Sequence, residues 1–163
     1  MGRVEMMILV MAIAILGRYS LTVNDALAKN EIHVLQSEYE LNSVSIIEGI
    51  FRQAWLKSFD KYAVSSNPQS IPDDFTPADS LGPESGESYP DFNDIDDYDG
   101  LSLVDTAGNG MTYTLVVSVG YIDASDKNTF LGTQSSLKRL NATISSDYLR
   151  NDITLSRIYP YWK

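Results

Sequence analysis

Carboxylates are the main chemical resource of this chain, and they are concentrated in one stretch. Between Tyr62 and Asp126 stand 13 Asp and Glu residues and no Lys or Arg. The densest part, Tyr89-Pro-Asp-Phe-Asn-Asp-Ile-Asp-Asp-Tyr-Asp-Gly100, places acids at near-alternate positions. Loop oxygens spaced this way suit a hard cation that takes about six to eight oxygen ligands. Calcium is therefore the one ion the acids suggest, with Asp94, Asp96, Asp97 and Asp99 as its expected ligands. The helix–loop–helix calcium pattern does not fit, because counting back from Gly100 puts Ile95 where its first acid should stand. The competing reading is a solvated acidic loop whose Phe92, Ile95 and Tyr98 turn inward at three-residue spacing. Both readings stay open at this level.

Other chemistries are short of residues. The chain has no cysteine, which removes disulfides, thiolate metal sites and cysteine nucleophiles. Its one histidine, His33, stands without catalytic neighbours and reads as structural. No glycine-rich phosphate loop, zinc-ligand spacing or nucleophile elbow appears. The paired carboxylates lie in a loop with little apolar sequence around them to drive their pKa values apart. The expectation is a protein that is not an enzyme and carries no organic cofactor. Net charge is −10 over 163 residues, yet outside the acidic window 12 basic residues meet 9 acids. The acidity belongs to one segment, and it argues against a nucleic-acid partner.

The elements that must position these groups begin with a helix. Met6 to Gly17, MMILVMAIAILG, has no charge, and no proline occurs before Pro68. The periodicity predicts one helix through the first sixty residues, roughly 87 Å long at ~1.5 Å rise per residue. A globular core of this size cannot cover such a helix, so its surface must be buried in a membrane, in partner subunits, or in both. Over Asn30–Tyr62 apolar residues recur at three- and four-residue spacing, with Glu31, Glu38, Glu40, Arg52, Lys57 and Lys61 opposite. Ile47, Phe51 and Trp55 lie on the stripe expected to pack against the rest of the domain.

The apolar start has three readings. A signal peptide would be cleaved after Ala26-Leu27-Ala28, but eleven residues then separate the apolar core from the cut. A membrane span needs about 20 residues, which the run reaches through Tyr19, Leu21 and Val23 if Arg18 snorkels or pairs. The third reading treats Glu5 as purposeful.

Beyond the helix, residues 63–106 read as a loop rich in Pro, Ser and Asp. Residues 107–163 read as antiparallel sheet. Met111–Ile122 alternates around Tyr113, Leu115, Val117, Val119 and Tyr121, after a turn at Ala107-Gly-Asn-Gly110. Leu137–Ser145 and Ile153–Tyr159 follow as two more strands, and the aromatic end, Tyr159-Pro-Tyr-Trp-Lys163, is expected at the sheet edge. The fold class is α+β, divided as 1–28 apolar helix, 29–62 amphipathic helix, 63–106 loop and 107–163 sheet.

A glutamate at position five, an apolar helix behind it and a long amphipathic helix after that resemble the layout of mature type IV pilins and pseudopilins. SLGPESGES (80–88) followed by DFNDIDDYDGL (91–101) resembles the linker of minor pilins of the mannose-sensitive haemagglutinin pilus type. SIIEGIFRQAWLKSFDKYAV upstream, with its Phe59-Asp60 pair, resembles the helix end of that group, and Lys138-Arg-Leu-Asn-Ala-Thr-Ile144 resembles a strand near its domain end. Arg3 and Met1 depart from the family's usual start, and without a basic leader ending in glycine before Met1 the expectation is either that the sequence is already processed or that the peptidase site is absent. The resemblance implies a structural subunit, a pilin or pseudopilin and a minor one, held in the bacterial inner membrane with an extracytoplasmic head. It implies assembly with other pilins into an extracellular pilus or a periplasmic pseudopilus, with Met1 and Glu5 as the assembly residues. In that role the Glu5 carboxylate would meet the Met1 amine of a neighbouring subunit, with Arg3 and Arg18 as other conceivable partners. The alternative is a membrane-anchored extracytoplasmic binding module that never polymerises and uses its acidic loop to hold calcium or a partner.

Overall fold

The computed structural model describes residues 2–65, 70–106 and 110–161, excluding the side chains at 64 and 65. Met1, the expected turn at 107–109 and the final Trp162 and Lys163 lie outside the described residues. Helix α1 spans Arg3–Trp55 and the short α2 spans Lys61–Ser65. A single turn of 3-10 helix covers Asp96–Tyr98. Four strands follow: β1 Ser102–Thr106, β2 Thr112–Tyr121, β3 Leu137–Ser145 and β4 Ile153–Pro160. They form one antiparallel sheet in the order β1-β2-β3-β4. The architecture is α+β: a long N-terminal helix and a four-stranded antiparallel sheet packed on its later turns.

The chain divides into a unit ending at Tyr39 and a second beginning at Glu40. The first is helix alone. Its large apolar side chains from Val4 to Leu21 are exposed, including Met6, Ile8, Val10, Ile13 and Leu16. This segment is long and apolar enough to span a membrane.

The second unit holds the core. On α1, Ser43, Ile47, Ile50, Phe51 and Ala54 are buried, a spacing that keeps one helical stripe inward. That stripe meets the inward positions of β2, namely Tyr113, Leu115, Val117, Val119 and Tyr121, together with Leu140, Ala142 and Ile144 of β3. Alternation along each strand puts these residues on one face. Tyr159 of β4 closes the end, its hydroxyl donating to the Phe51 carbonyl at 2.9 Å. Arg157 lies over the Phe51 ring and pairs with Glu48 at 3.1 Å.

Trp55 is a correction to the expected packing stripe. Ile47 and Phe51 are buried, but Trp55 is 55% exposed. One residue past Ala54, it sits at the flank of the buried stripe, with its ring 5.9 Å from that of Tyr159. The helix also ends earlier than its sequence pattern suggests. Leu56 and Lys57 donate to the carbonyls of Gln53 and Ala54, tightening the last turn. Ser58 then pairs instead with the acidic loop: its N–H donates to the Asn93 carbonyl, and its own carbonyl accepts from Ile95.

Strand β1 was not expected within the 63–106 loop. Only Leu103 of its five residues turns partly inward, so no two-residue apolar rhythm marks it. The ladder with β2 makes it a strand, pairing Ser102 with Val116 through Thr106 with Thr112.

Two substitutions separate the stripe from its flank. Phe51→Ala should lower stability by about 3–5 kcal/mol, the usual loss for emptying an aromatic core site. Trp55→Ala should cost less than about 1 kcal/mol, as surface changes do. Urea unfolding of the detergent-solubilised chain checks both, and equal losses would contradict the burial of one and exposure of the other.

Candidate functional site

The acidic loop is organised around a cation that comes from the sheet. Lys138 occupies an inward position of β3, in line with Leu140, Ala142 and Ile144. Its ammonium is fully buried and its three donors find three acceptors: the Phe59 carbonyl at 2.7 Å, Asp60 Oδ2 at 3.0 Å and Asp96 Oδ1 at 2.8 Å. The rings of Phe59 and Tyr121 lie 4.6 and 5.1 Å from it. A buried charge is tolerable only when paired and hydrogen-bonded to this degree.

Asp60 is held equally completely. Besides Lys138 it accepts from the N–H groups of Tyr62 and Thr76, the Thr76 hydroxyl at 3.3 Å and the Tyr121 hydroxyl at 3.2 Å. Burial alone would push the Asp60 carboxyl up. The Lys138 charge and these N–H donors outweigh burial and hold it below its usual range. Tyr121 also lies 2.8 Å from the Thr76 carbonyl, and burial followed by the Asp60 charge drives its phenol strongly upward.

The loop itself folds through carboxylate-to-backbone bonds. Asp94 Oδ1 accepts from the N–H groups of Asp96 and Asp97 at the start of the 3-10 turn. Asp97 Oδ2 reaches back to the N–H groups of Asn93 and Asp94 at 2.9 and 3.1 Å. Asp99 Oδ1 accepts from Val119 N–H at 2.7 Å, tying the loop's end to β2. Gly100 follows at φ 75°, a left-handed turn that favours glycine. Phe92, Ile95 and Tyr98 are buried, as the three-residue spacing predicts. Burial pushes the Tyr98 phenol up to about 12.

The four aspartates expected to share a calcium ion therefore do not form one compact carboxylate group, although the Asp94 and Asp96 carboxyls lie side by side. Asp96 belongs to Lys138, Asp99 to the sheet, and Asp94 caps the 3-10 turn. Of the four, only Asp97 stands, among the described residues, in a carboxylate group compact enough for an ion. That group is Glu84, Glu87 and Asp97, whose oxygens lie within 4.8 Å of one another. Glu84 Oε1 also pairs with Lys61 at 2.9 Å, and Glu87 Oε1 accepts from the Asn93 amide. Asp94 is driven up to about 9, first by its burial and then by the Asp96 carboxyl beside it. Burial likewise raises Asp97, to about 6.

Lys138, Asp60, Glu84 and Glu87 were not singled out from the sequence as site residues. A signal for Lys138 existed, since stepping back by two from Leu140 places it on the core face. Nothing local marks Glu84 and Glu87, which reach Asp97 only through the course of the loop. His33 is exposed on the first unit's helix.

At the other end of the chain, Glu5 is the third residue of α1, and its Oε2 accepts from Gly2 N–H at 2.8 Å. This is the carboxylate half of a capping box, placing negative charge at the positive end of the helix. No family model matches this chain, and no curated protein or solved structure matches it either.

Two measurements address the buried charges. Lys138→Met should destabilise the chain by about 3–5 kcal/mol, because Asp60 and Asp96 would be left uncompensated in the interior. A loss below about 1 kcal/mol in urea unfolding would mean that water reaches these acids. The pH dependence has two limbs. Asp60 is depressed in the folded state, so its contribution is present above its ordinary 3.8 and lost as pH falls through its lower folded value. Asp94 is raised, so the stability of its neutral form is full below 3.8 and declines as pH rises towards about 9. Asp94→Asn keeps the acceptor and removes the titration. Its melting temperature relative to the parent should therefore be higher at pH 8 than at pH 5, measured in chelator. A constant difference across that range would contradict a neutral Asp94.

Proposed function

We propose that this chain is a structural subunit of the type IV pilin or pseudopilin kind, and a minor one. Its N-terminal helix sits in the bacterial inner membrane before assembly and packs against the helices of other pilins afterwards. The head then lies outside the cytoplasm, on a pilus or on a periplasmic pseudopilus. The observation that carries this reading is the exposed apolar surface from Val4 to Leu21, opened by one carboxylate at Glu5. A continuous apolar surface of this extent calls for lipid or protein to cover it. A carboxylate drawn to the centre of a bilayer costs roughly 2.5–3.5 kcal/mol unless paired, so a carboxylate entering an apolar surface favours a partner. Staggered helices in a filament would offer the pairing: the N-terminal amine of one subunit against Glu5 of the next.

The bond from Gly2 N–H to Glu5 favours a second reading, in which Glu5 only caps the helix of a non-polymerising membrane anchor. The two readings separate by substitution. Glu5→Gln retains a side chain able to cap but loses the charge, whereas Glu5→Ala loses both. In the filament reading both variants remain folded and membrane-bound, and both drop out of filaments. The check is the share of tagged variant that co-purifies with sheared filaments, against total membrane-bound protein. Normal incorporation of Glu5→Gln would favour the capping role and the simple anchor.

A further inference from the structure

We propose that Glu84, Glu87, Asn93 and Asp97 form a binding site for one calcium-class divalent cation, independent of the filament reading. The three carboxylates place their oxygens within 4.8 Å of one another. That is the span of two ligands on opposite sides of an ion with oxygen contacts of about 2.4 Å. Proximity of acids is not the only sign. Asp97 is fully buried, and its Oδ1 has no hydrogen-bond partner, while Oδ2 is occupied by two backbone N–H groups. Two further oxygens around it, Glu84 Oε2 and Asn93 Oδ1, are also shut off from solvent without a partner. The Asn93 amide group is in place beside the acids, since its nitrogen donates to Glu87 Oε1. Buried oxygens left unsatisfied on three neighbouring residues carry a desolvation cost that a bound cation would offset.

The charge count points the same way. Three carboxylates face one ammonium, Lys61 on Glu84 at 2.9 Å, which leaves two negative charges for a divalent ion. All the donors are carboxylate or amide oxygens, which select a hard cation over zinc or copper. They come from irregular loop backbone at Glu84, Glu87 and Asn93 and from the 3-10 turn at Asp97. Calcium tolerates such irregular geometry, whereas magnesium demands near-octahedral ligands and keeps its water. A bound ion would bridge residues 84–87 to residues 93–97, which pair with Ser58 three residues past the end of α1.

The test uses the full chain in detergent micelles after chelator treatment, titrated with calcium chloride by calorimetry and, separately, with magnesium chloride. The proposal expects saturable binding of one calcium per chain and a melting temperature that rises with calcium by mass action. It expects Glu87→Gln to weaken calcium by at least about tenfold, the scale on which altered metal surroundings act. In chelator that variant should melt like the parent. If Glu87→Gln proves poorly folded, Glu84→Gln takes its place with the same expectation, and Asp79→Asn on the exposed loop surface should bind like the parent. Absence of saturable binding at millimolar calcium would overturn the site, as would undiminished binding by both glutamine variants. Magnesium bound as tightly as calcium would overturn the calcium class.

Discussion

The buried ammonium of Lys138 is the interaction on which the second unit depends. It is supplied by the third strand, and it gathers acceptors from two distant stretches: the segment just past the long helix, through Phe59 and Asp60, and the acidic loop, through Asp96. A sheet, a helix end and a loop thus converge on one charge. Removing the ammonium would take the shared cation from both carboxylates at once, which makes the arrangement specific as well as cohesive. It also explains how a segment without a single basic residue from Tyr62 to Asp126 can lie against a core. Its cation is brought from outside the segment by the fold.

Around that charge, Asp60 and the acids of the loop are sorted by their surroundings. Asp60, saturated with donors, is held ionised. Asp94, buried beside other carboxyls, is held neutral near physiological pH. Asp99 is a backbone acceptor for the sheet. What reads in sequence as one acidic patch is in three dimensions several separate tasks, most of them structural. Asp94 Oδ2 is also buried without a hydrogen-bond partner, but only at Glu84, Glu87 and Asp97 do three carboxylates of the described residues come within 4.8 Å of one another.

The two units solve different problems. The second covers its apolar surface internally, with helix stripe against sheet face. The first carries a run of exposed apolar side chains from Val4 to Leu21, which lipid or other protein would have to cover. That division places the functional question at the N-terminal helix and the question of ligand binding at the loop.

Much of the architecture was legible in the residues themselves because it rests on local periodicity. The alternation in Thr112–Tyr121 and Leu137–Ser145 marks inward faces directly, and the absence of proline before Pro68 allows the long helix. Ile47 and Phe51 follow from helical spacing, and Phe92, Ile95 and Tyr98 from three-residue spacing. The local pattern failed where long-range contacts decided the outcome. Trp55 is the last residue of α1 and lies at the flank of the buried stripe, and the helix goes no further because Ser58 pairs with residues 93–95, some 35 positions away. Strand β1 exists because β2 is beside it. Which aspartate serves Lys138, and which reaches Glu84 and Glu87, depends on how the loop crosses the helix end. Residue types and spacing determined the elements and the presence of an acidic, oxygen-rich loop; tertiary structure decided the partners, because hydrogen bonds between segments far apart in sequence leave no periodic trace within either one.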